Sequence, residues 1–388
     1  MAKGCFGGNE VENLMAKIRH LSEIQQEIAF TEFDFYQRYA ETFKTSELGR
    51  IKSLLPLRQM AISFNLMEER PMHKRVKRGR KPFFTPEGKV ALAFLKMYTG
   101  LSAPKLMEAL NGNIHYQIFC GIRITPENQL TNYKLIDGIL LELSRKLKVQ
   151  EQQKVLADAW KPYMKNLDTI YTDASCYESL MRFPTDVKLL WECTVRAYKM
   201  VRGKENKTVE FGAKCNNILI DGISFIEKVS FNAFNEGTRL RHCISLAQKL
   251  TGVPVKKVGG DQGYSGNDNR TFCKDNNIET SFTQKGKAGT DEVKNAIKRE
   301  LARVRATAME GSFGTQKEHY GLRKIAARIK STEIMLIFFG IHTANVVNLA
   351  RRESSSFLSQ PENIGREIRA DDRKNDEVNQ KNRGNSAC

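Results

Sequence analysis

The sequence lacks the cysteine pairs that would build a zinc site or a disulfide framework. Its eight cysteines are scattered along 388 residues, and none stands in a Cys-x-x-Cys spacing. We therefore expect reduced thiols, not the bridged scaffold of a small secreted protein. The cysteines are Cys5, Cys120, Cys176, Cys193, Cys215, Cys243, Cys273 and Cys388.

Long apolar runs are also missing. The most apolar stretch, Ile334 to Ile341, is too short to span a bilayer. The start at Met1 lacks the apolar core of a signal peptide. A basic amphipathic helix or a lipid anchor, which a membrane-surface protein would need, is not found either. We therefore expect a cytoplasmic protein with no membrane partner.

Acidic residues are outnumbered by basic ones. The chain has 62 Lys and Arg against 44 Asp and Glu, a formal net charge of +18. Such an excess favours a polyanionic partner, with nucleic acid ahead of an anionic membrane surface. With 40% hydrophobic residues, the chain is long enough for a large core, and its length suggests two folded units with ragged ends.

A basic run separates two helical regions. Residues 1–70 have helical apolar spacing, and residues 71–84 contain the run from His73 to Pro82, whose glycine and proline favour a linker. Its compact Arg-Gly-Arg-Lys-Pro core is similar to an AT-hook and predicts contact with DNA phosphates or the minor groove. A solvated charged loop is the alternative. The candidate DNA-binding residues are Lys77, Arg78, Arg80 and Lys81.

Residues 85–150 predict a helical DNA-binding domain. A helix with apolar residues from Leu92 to Met97 breaks at Thr99 and Gly100, and Ser102 is placed to cap a second helix through Leu110. This pattern favours a helix-turn-helix. A helical packing domain without DNA contact is the alternative.

From Leu167 onward, short runs rich in Ile, Val, Tyr and Phe replace the helical spacing. The predicted strands are Leu167–Asp173, Thr208–Ile220, Ile223–Phe231, Val253–Gly259 and Ile278–Phe282, and the predicted helices are Leu240–Leu250, Asn267–Asn277 and Thr290–Lys317. Asp221-Gly222 is a strong hairpin signal between the second and third strands. This order predicts an α/β fold: an RNase H-like mixed sheet flanked by helices over residues 165–350, after an all-helical N-terminal domain. Residues 353–388 are too polar to build a core and predict a disordered tail.

Three carboxylates are the candidate catalytic and metal-binding residues. Asp173 is the last residue of a predicted strand, Asp261 follows another strand among glycines, and Glu310 lies near the end of the long predicted helix. Carboxylates from separate elements can hold two hard divalent cations, Mg²⁺ or Mn²⁺, for phosphoryl transfer. The alternative is that they are ordinary surface charges among the 44 acidic residues.

Two basic residues flank Glu310 at equal spacing. Arg303 precedes it and Lys317 follows it by seven residues each, nearly two helical turns. A continuous helix would present all three on one face, where the basic pair could hold DNA phosphates. Ordinary helix surface charge is the alternative.

These residues resemble the DDE-type insertion-sequence transposases of the insertion-sequence-five-like group. The block that starts at Asp173 and continues through Pro184-Thr185-Asp186 to paired leucines is similar to the family's first-aspartate block. Asp261-Gln-Gly-Tyr resembles the second block, and Glu310-Gly-Ser-Phe-Gly-Thr-Gln-Lys317 the third. Asn345 and Asn348 resemble the closing helix, so the likeness covers roughly residues 70–350.

The resemblance implies specific chemistry and partners. It implies an RNase H-like fold, cleavage dependent on Mg²⁺ at the terminal inverted repeats of a mobile element, and strand transfer into target DNA by a free 3′-hydroxyl. It also implies double-stranded DNA as partner, a possible homodimer, and a bacterial-type cytoplasmic protein that joins the nucleoid when bound to DNA. One departure is that the family's Tyr and Arg positions are Arg303 and Ala306 here, with Arg305 one residue off.

Two further functions fit the same residues. One is a catalytically inactive, transposase-derived DNA-binding protein, which the intact Asp173, Asp261 and Glu310 argue against. The other is an RNase H-like nuclease that cuts DNA without joining it. Integration of the cleaved ends into target DNA distinguishes the nuclease from a transposase.

Overall fold

The computed structural model describes residues 32–68, 82–180, 212–283 and 292–358, with scattered positions between 190 and 197. Residues 1–42 separate from a second compact unit that begins at Phe43. In the first unit the described part belongs to helix α1 (Glu32–Thr45), whose residues from Phe43 onward are assigned to the second unit. The part of the predicted helical region that precedes it, the basic residues Lys77, Arg78, Arg80 and Lys81, and residues 359–388 of the predicted disordered tail lie outside the described residues. The first six residues of that tail, 353–358, are helical, so the predicted start of disorder at residue 353 is wrong.

The second unit begins with helices. They are α2 (Glu47–Leu54), α3 (Leu57–Ser63), α4 (Pro86–Thr99), α5 (Ala103–Gly112), α6 (Ile114–Cys120), α7 (Lys134–Lys146) and α8 (Val149–Trp160). The predicted break between two helices is confirmed, because α4 ends where Gly100 adopts a left-handed φ of 64° and α5 starts three residues later. Ser102 is the N-cap residue of α5, but its side chain makes no capping hydrogen bond, so the predicted side-chain cap is wrong.

The rest of the unit is a six-stranded mixed sheet with flanking helices. The strands are β1 (Thr169–Ser179), β2 (Gly212–Ile220), β3 (Ile223–Ser230), β4 (Lys257–Gly260), β5 (Glu279–Thr280) and β6 (Lys324–Ile325). The order is β3-β2-β1-β4-β5, with β6 paired to the end of β1. Pairs β1/β2 and β2/β3 are antiparallel, whereas β1/β4 and β4/β5 are parallel. The predicted mixed sheet flanked by helices is confirmed.

The turn between β2 and β3 forms as its sequence predicts. Asp221 has a φ of 48° and Gly222 a φ of 77°. Two successive left-handed residues define the hairpin turn whose twist matches that of the flanking strands, and Asp-Gly is among its preferred sequences. This hairpin places β3 at the edge of the sheet.

Side-chain amides cover the free edge of β3, which is buried at Ser224 and Ile226. The Asn345 side chain both accepts from the Ser224 amide (2.9 Å) and donates to the Ser224 carbonyl (2.7 Å). The Gln153 side chain donates to the Ile226 carbonyl at 2.9 Å and accepts from its amide. Unpaired backbone groups on an edge strand invite pairing with other chains, and these contacts satisfy them. Gln153 lies on α8, so the helical part and the sheet are joined at this edge.

Helices lie on both faces of the sheet. On one face is α9 (Leu240–Thr251), whose Cys243 contacts Thr172 of β1. On the other, α11 (Glu292–Val304) packs so closely on β4 that a Cβ on Gly259 would lie 3.2 Å from the Leu301 carbonyl oxygen. Helix α10 (Asn267–Asp275) connects β4 to β5.

The predicted long helix over residues 290–317 is divided by a π turn. After α11, residues Arg305–Met309 form a π-helix, and α12 (Glu310–His319) continues from it. A π turn holds more residues than an α turn, so it rotates all following side chains relative to an uninterrupted helix. The continuous helix expected to align Arg303, Glu310 and Lys317 is therefore not present.

Helix α13 (Lys330–Leu358) is the central core helix. Its apolar part, Lys330–Ser354, has the length and hydropathy of a membrane span, yet 78% of its most apolar window is buried inside the protein. Phe339 stacks against Phe64, which directly follows α3, and meets Phe94 of α4 edge to face, so α13 packs on the helical part as well as on β3. A helix that is apolar all round is a buried helix in a folded core.

Candidate active site

Asp173 lies in the middle of β1, not at its end as predicted. It pairs with Asn217 of β2, and β1 continues through six more residues to Ser179. The parallel neighbour β4, however, stops beside it, because the last pair between the two strands is Thr172 with Gly260. Asp173 is thus the first β1 residue beyond the end of β4.

Asp261 follows directly after β4. It caps the short 3₁₀ turn Gln262–Tyr264, and its Oδ1 accepts a hydrogen bond from the Gly263 amide at 2.8 Å. The carboxyl ends of parallel strands open at the same edge of a sheet, which is where α/β proteins bind ligands. The two aspartates that the sequence singled out therefore lie side by side.

Glu236 is the third carboxylate at this place, and sequence reasoning missed it. It begins the 3₁₀ helix Glu236–Arg239, between β3 and α9. One carboxylate oxygen from each of Asp173, Glu236 and Asp261 lies within 4.8 Å of the other two, and all three residues are partly buried. Lys214 of β2 forms an ion pair of 2.6 Å with Glu236.

Arg305 is the second residue that sequence reasoning left without a role. It is the first residue of the π turn, and its Nη1 donates to Oδ2 of Asp173 at 2.8 Å. The other oxygen, Oδ1, accepts from the Ala174 amide at 2.8 Å. Both oxygens of Asp173 therefore have a donor, one of them cationic.

The surroundings of Asp173 raise its pKa on balance. Burial raises the pKa of Asp173, and the nearby carboxylates of Asp261 and Glu236 raise it further. The Ala174 amide and the Arg305 guanidinium lower the pKa but do not cancel the burial effect. Partly buried carboxylates at this spacing repel one another unless cations neutralise them.

The remaining predicted residues are not among these three grouped carboxylates. Glu310 is the first residue of α12 and is exposed, outside the group formed by Asp173, Glu236 and Asp261. Arg303 is exposed on α11 and pairs with Glu300 at 2.8 Å. Lys317 is partly buried near the end of α12.

The grouped oxygens fit a divalent cation. All are hard carboxylate donors, the type that Mg²⁺ and Mn²⁺ prefer. Two ligands on opposite sides of an ion bound at about 2.1 Å are about 4.2 Å apart, close to the 4.8 Å within which these oxygens lie. Asp173 and Asp261 on the sheet and Glu236 on a turn could hold one ion with little movement.

Two family models match the chain, and both describe transposase domains. A "Transposase DDE domain" matches residues 258–350, a range that contains Asp261 and Glu310 but not Asp173 or Glu236. A "Transposase domain (DUF772)" matches residues 36–136, which span helices α2 to α6. The chain matches no curated protein and no solved structure. The resemblance found in the sequence is confirmed by the two family matches.

Proposed function

Since this chain belongs to the DDE-type insertion-sequence transposases, we propose that it binds the terminal inverted repeats of a mobile element and cuts and joins DNA there. Water and then a DNA 3′-hydroxyl are the successive nucleophiles in this proposal. No covalent link between protein and DNA is needed.

One observation carries the proposal. Asp173 and Asp261 come from neighbouring parallel strands and meet at the open edge of the sheet, with ligand atoms less than 4.8 Å apart. Like charges repel in a partly buried place, and Arg305 and Lys214 offset this repulsion at Asp173 and Glu236. A bound cation would offset it at all three carboxylates together.

We assign Mg²⁺ or Mn²⁺ to this place, with two ions in the reacting complex. When bound, such ions polarise a phosphate and activate the attacking oxygen. The side chains of Asp173 and Asp261 hold the ions at the sheet edge, and the Gly263 amide keeps the Asp261 carboxylate oriented (2.8 Å).

Glu310 is our third catalytic carboxylate, on the basis of its place in the family motif. It is exposed at the start of α12, so a DNA backbone approaching the sheet edge could meet it. In the DNA-free protein, the carboxylate grouped with the two aspartates is that of Glu236.

DNA phosphates are the proposed partners of the basic residues. Lys317 and Arg303 on the helices around Glu310 would hold the phosphates next to the cut. Lys77, Arg78, Arg80 and Lys81 would contact DNA further away, and each lost phosphate contact should reduce the salt slope of binding by about one unit. A homodimer on paired element ends, in the cytoplasm and at the nucleoid, completes the proposal.

The test is cleavage and joining of DNA that carries the element's ends, with Mg²⁺, by the intact chain and by Asp261→Asn. The control variant is Asp268→Asn, a nearby exposed aspartate in the first turn of α10. We expect both activities to disappear in Asp261→Asn and to persist in Asp268→Asn. DNA affinity should stay the same or rise in Asp261→Asn, because a carboxylate repels phosphate.

Each other outcome identifies an alternative. Tight DNA binding without cleavage by the intact chain would favour an inactive DNA-binding protein. Cleavage without joining would favour a nuclease. Equal activity of Asp261→Asn and the intact chain would remove Asp261 from the mechanism.

A further inference from the structure

Residues next to the three grouped carboxylates meet in one largely buried polar cluster. We call it the Asn216 network and define it by its members, Thr172, Asn216, Glu227, Arg239, Cys243 and Tyr264. Thr172 precedes Asp173, Tyr264 closes the turn that Asp261 caps, and Arg239 closes the 3₁₀ helix that begins at Glu236.

Asn216 uses both ends of its side chain in this network. Its Oδ1 accepts from the Tyr264 hydroxyl at 2.6 Å. Its Nδ2 donates to Glu227 at 3.0 Å and to the Cys243 sulfur at 3.2 Å. The Thr172 hydroxyl contacts the same sulfur at 3.3 Å. Asn216 and Tyr264 are fully buried, so these bonds are not exchanged with bulk water.

A β-bulge brings Glu227 into the network. Between β2 and β3, Asn216 pairs with Lys228 and Asn217 pairs with Ile226, which leaves Glu227 as an extra residue. Bulges of this kind turn a side chain away from the regular alternation and occur often beside active sites. Both carboxylate oxygens of Glu227 accept hydrogen bonds from the Arg239 guanidinium.

The two turns that carry Glu236 and Asp261 are also bridged by one side chain. The Asn269 side chain donates to the Gly237 carbonyl at 2.7 Å and to the Tyr264 carbonyl at 2.9 Å. Gly237 follows Glu236 in sequence. The Tyr264 amide donates a hydrogen bond to the Asp261 carbonyl at 3.2 Å. A shift of one turn would therefore strain the other.

We propose that Tyr264 and Arg239 are positioning residues, which act through Asn216 and Glu227 to set the spacing of the Asp173, Asp261 and Glu236 carboxylates for metal. This inference rests on the metal-dependent function proposed above. A carboxylate group whose spacing is fixed in advance binds a cation without first being ordered. Loosening the network should weaken metal binding while leaving the chemistry possible once metal saturates the protein.

Tyr264→Phe is the main test, with Tyr177→Phe as its matched control. Both tyrosines are fully buried. The Tyr177 hydroxyl donates a hydrogen bond to Gln316 at 2.6 Å, on the face of the sheet opposite the Asn216 network. Each variant removes one buried hydroxyl that donates a hydrogen bond of 2.6 Å. Only the first belongs to the Asn216 network.

The measurements are Mn²⁺ binding by the full chain, followed by the paramagnetic resonance of unbound Mn²⁺, and the Mn²⁺ dependence of DNA cleavage. We expect both variants to melt earlier than the intact chain by similar amounts. Tyr264→Phe should weaken Mn²⁺ binding by up to about tenfold, the limit set by one lost buried hydrogen bond, whereas Tyr177→Phe should not. The maximal cleavage rate at saturating Mn²⁺ should be restored in Tyr264→Phe.

A second pair of variants covers the case in which Tyr264→Phe does not fold. Arg239 is partly exposed and pairs with Glu227 at two oxygens, which lysine cannot do. Arg239→Lys should therefore also weaken Mn²⁺ binding. Arg241 lies two residues after Arg239, and its guanidinium stacks on the Phe272 ring. Arg241→Lys should not weaken Mn²⁺ binding.

The outcomes separate this inference from the proposed function. If the intact chain binds no Mn²⁺ through Asp173 and Asp261, the metal-dependent function is wrong and the inference falls with it. If the intact chain binds Mn²⁺ and the network variants bind it equally well, the inference alone is wrong.

Discussion

The Arg305 guanidinium reaches across 132 positions of sequence to donate to Oδ2 of Asp173 at 2.8 Å. It does so from the first residue of a π turn, in a side chain that is only 22% exposed. The positive charge therefore stands beside the carboxylate that we propose as a metal ligand. A divalent cation at this carboxylate must share the space with a guanidinium.

We expect Arg305→Met to bind Mn²⁺ several-fold more tightly than the intact chain in the absence of DNA. The reason is Coulombic, because a unit charge within about 5 Å of a divalent ion repels it even when solvent screens much of the field. Equilibrium Mn²⁺ binding measures the effect at neutral pH.

Arg303→Met is the control for this prediction. Arg303 lies two residues earlier, is 69% exposed and pairs with Glu300 on its own helix. Its removal should leave Mn²⁺ affinity almost unchanged. Weaker binding by Arg305→Met than by the intact chain would mean that Arg305 supports the carboxylate and does not compete for it.

Substitutions of Glu236 and Glu310 should affect metal binding and DNA cleavage differently. Glu236 lies with Asp173 and Asp261 in the DNA-free protein, whereas Glu310 is exposed on α12. Glu236→Gln should therefore weaken Mn²⁺ binding without DNA, and Glu310→Gln should leave that binding nearly intact. With DNA carrying the element's ends, Glu310→Gln should abolish cleavage.

Cleavage and Mn²⁺ titrations on the same two variants provide the measurement. Glu318→Gln, an exposed glutamate later on α12 that pairs with Arg323, serves as the control and should behave as the intact chain does. Full cleavage by Glu310→Gln together with none by Glu236→Gln would transfer the third catalytic role to Glu236.

The sequence predicted those parts of the fold that depend on local patterns. Asp221-Gly222 requires left-handed backbone at both residues and so determines the hairpin, and Gly100 ends α4 for the same backbone reason. Asp173 and Asp261 were found because each accompanies a strand that local apolar patterning reveals.

Glu236 and Arg305 could not be found in this way. Glu236 stands in a polar turn with no spacing that distinguishes it from the other acidic residues, and only the packing of one 3₁₀ turn on another brings it to Asp261. The π turn that aims Arg305 has no local sequence signal, and it changes the register on which the seven-residue argument depended. The two-residue strand β6 is likewise visible only through its pairing with β1.

His342 in the central helix gives a prediction on acid stability. It is fully buried, against the rings of Trp160, Phe225 and Phe338. Asn345 is held by Ser224 so that its Nδ2 donates, and this nitrogen lies 3.1 Å from His342 Nδ1. Nδ1 must then accept, which places the proton of the neutral ring on Nε2.

Burial lowers the pKa of His342 from 6.5 to about 3. The folded state therefore holds the neutral ring, while the unfolded chain takes up a proton as pH falls below 6.5. Stability from this residue is fully present above pH 6.5 and is lost progressively as pH falls from 6.5 toward 3. The loss approaches about 1.4 kcal/mol per pH unit.

Urea unfolding between pH 7 and pH 5 is the measurement, because most carboxylates stay ionised in that window. The free energy of unfolding should fall more steeply with acid in the intact chain than in His342→Met, which has no proton to take up. His319→Met, at an exposed histidine near the end of α12, should follow the slope of the intact chain. If His342→Met has that slope too, a group other than His342 controls stability in this pH range.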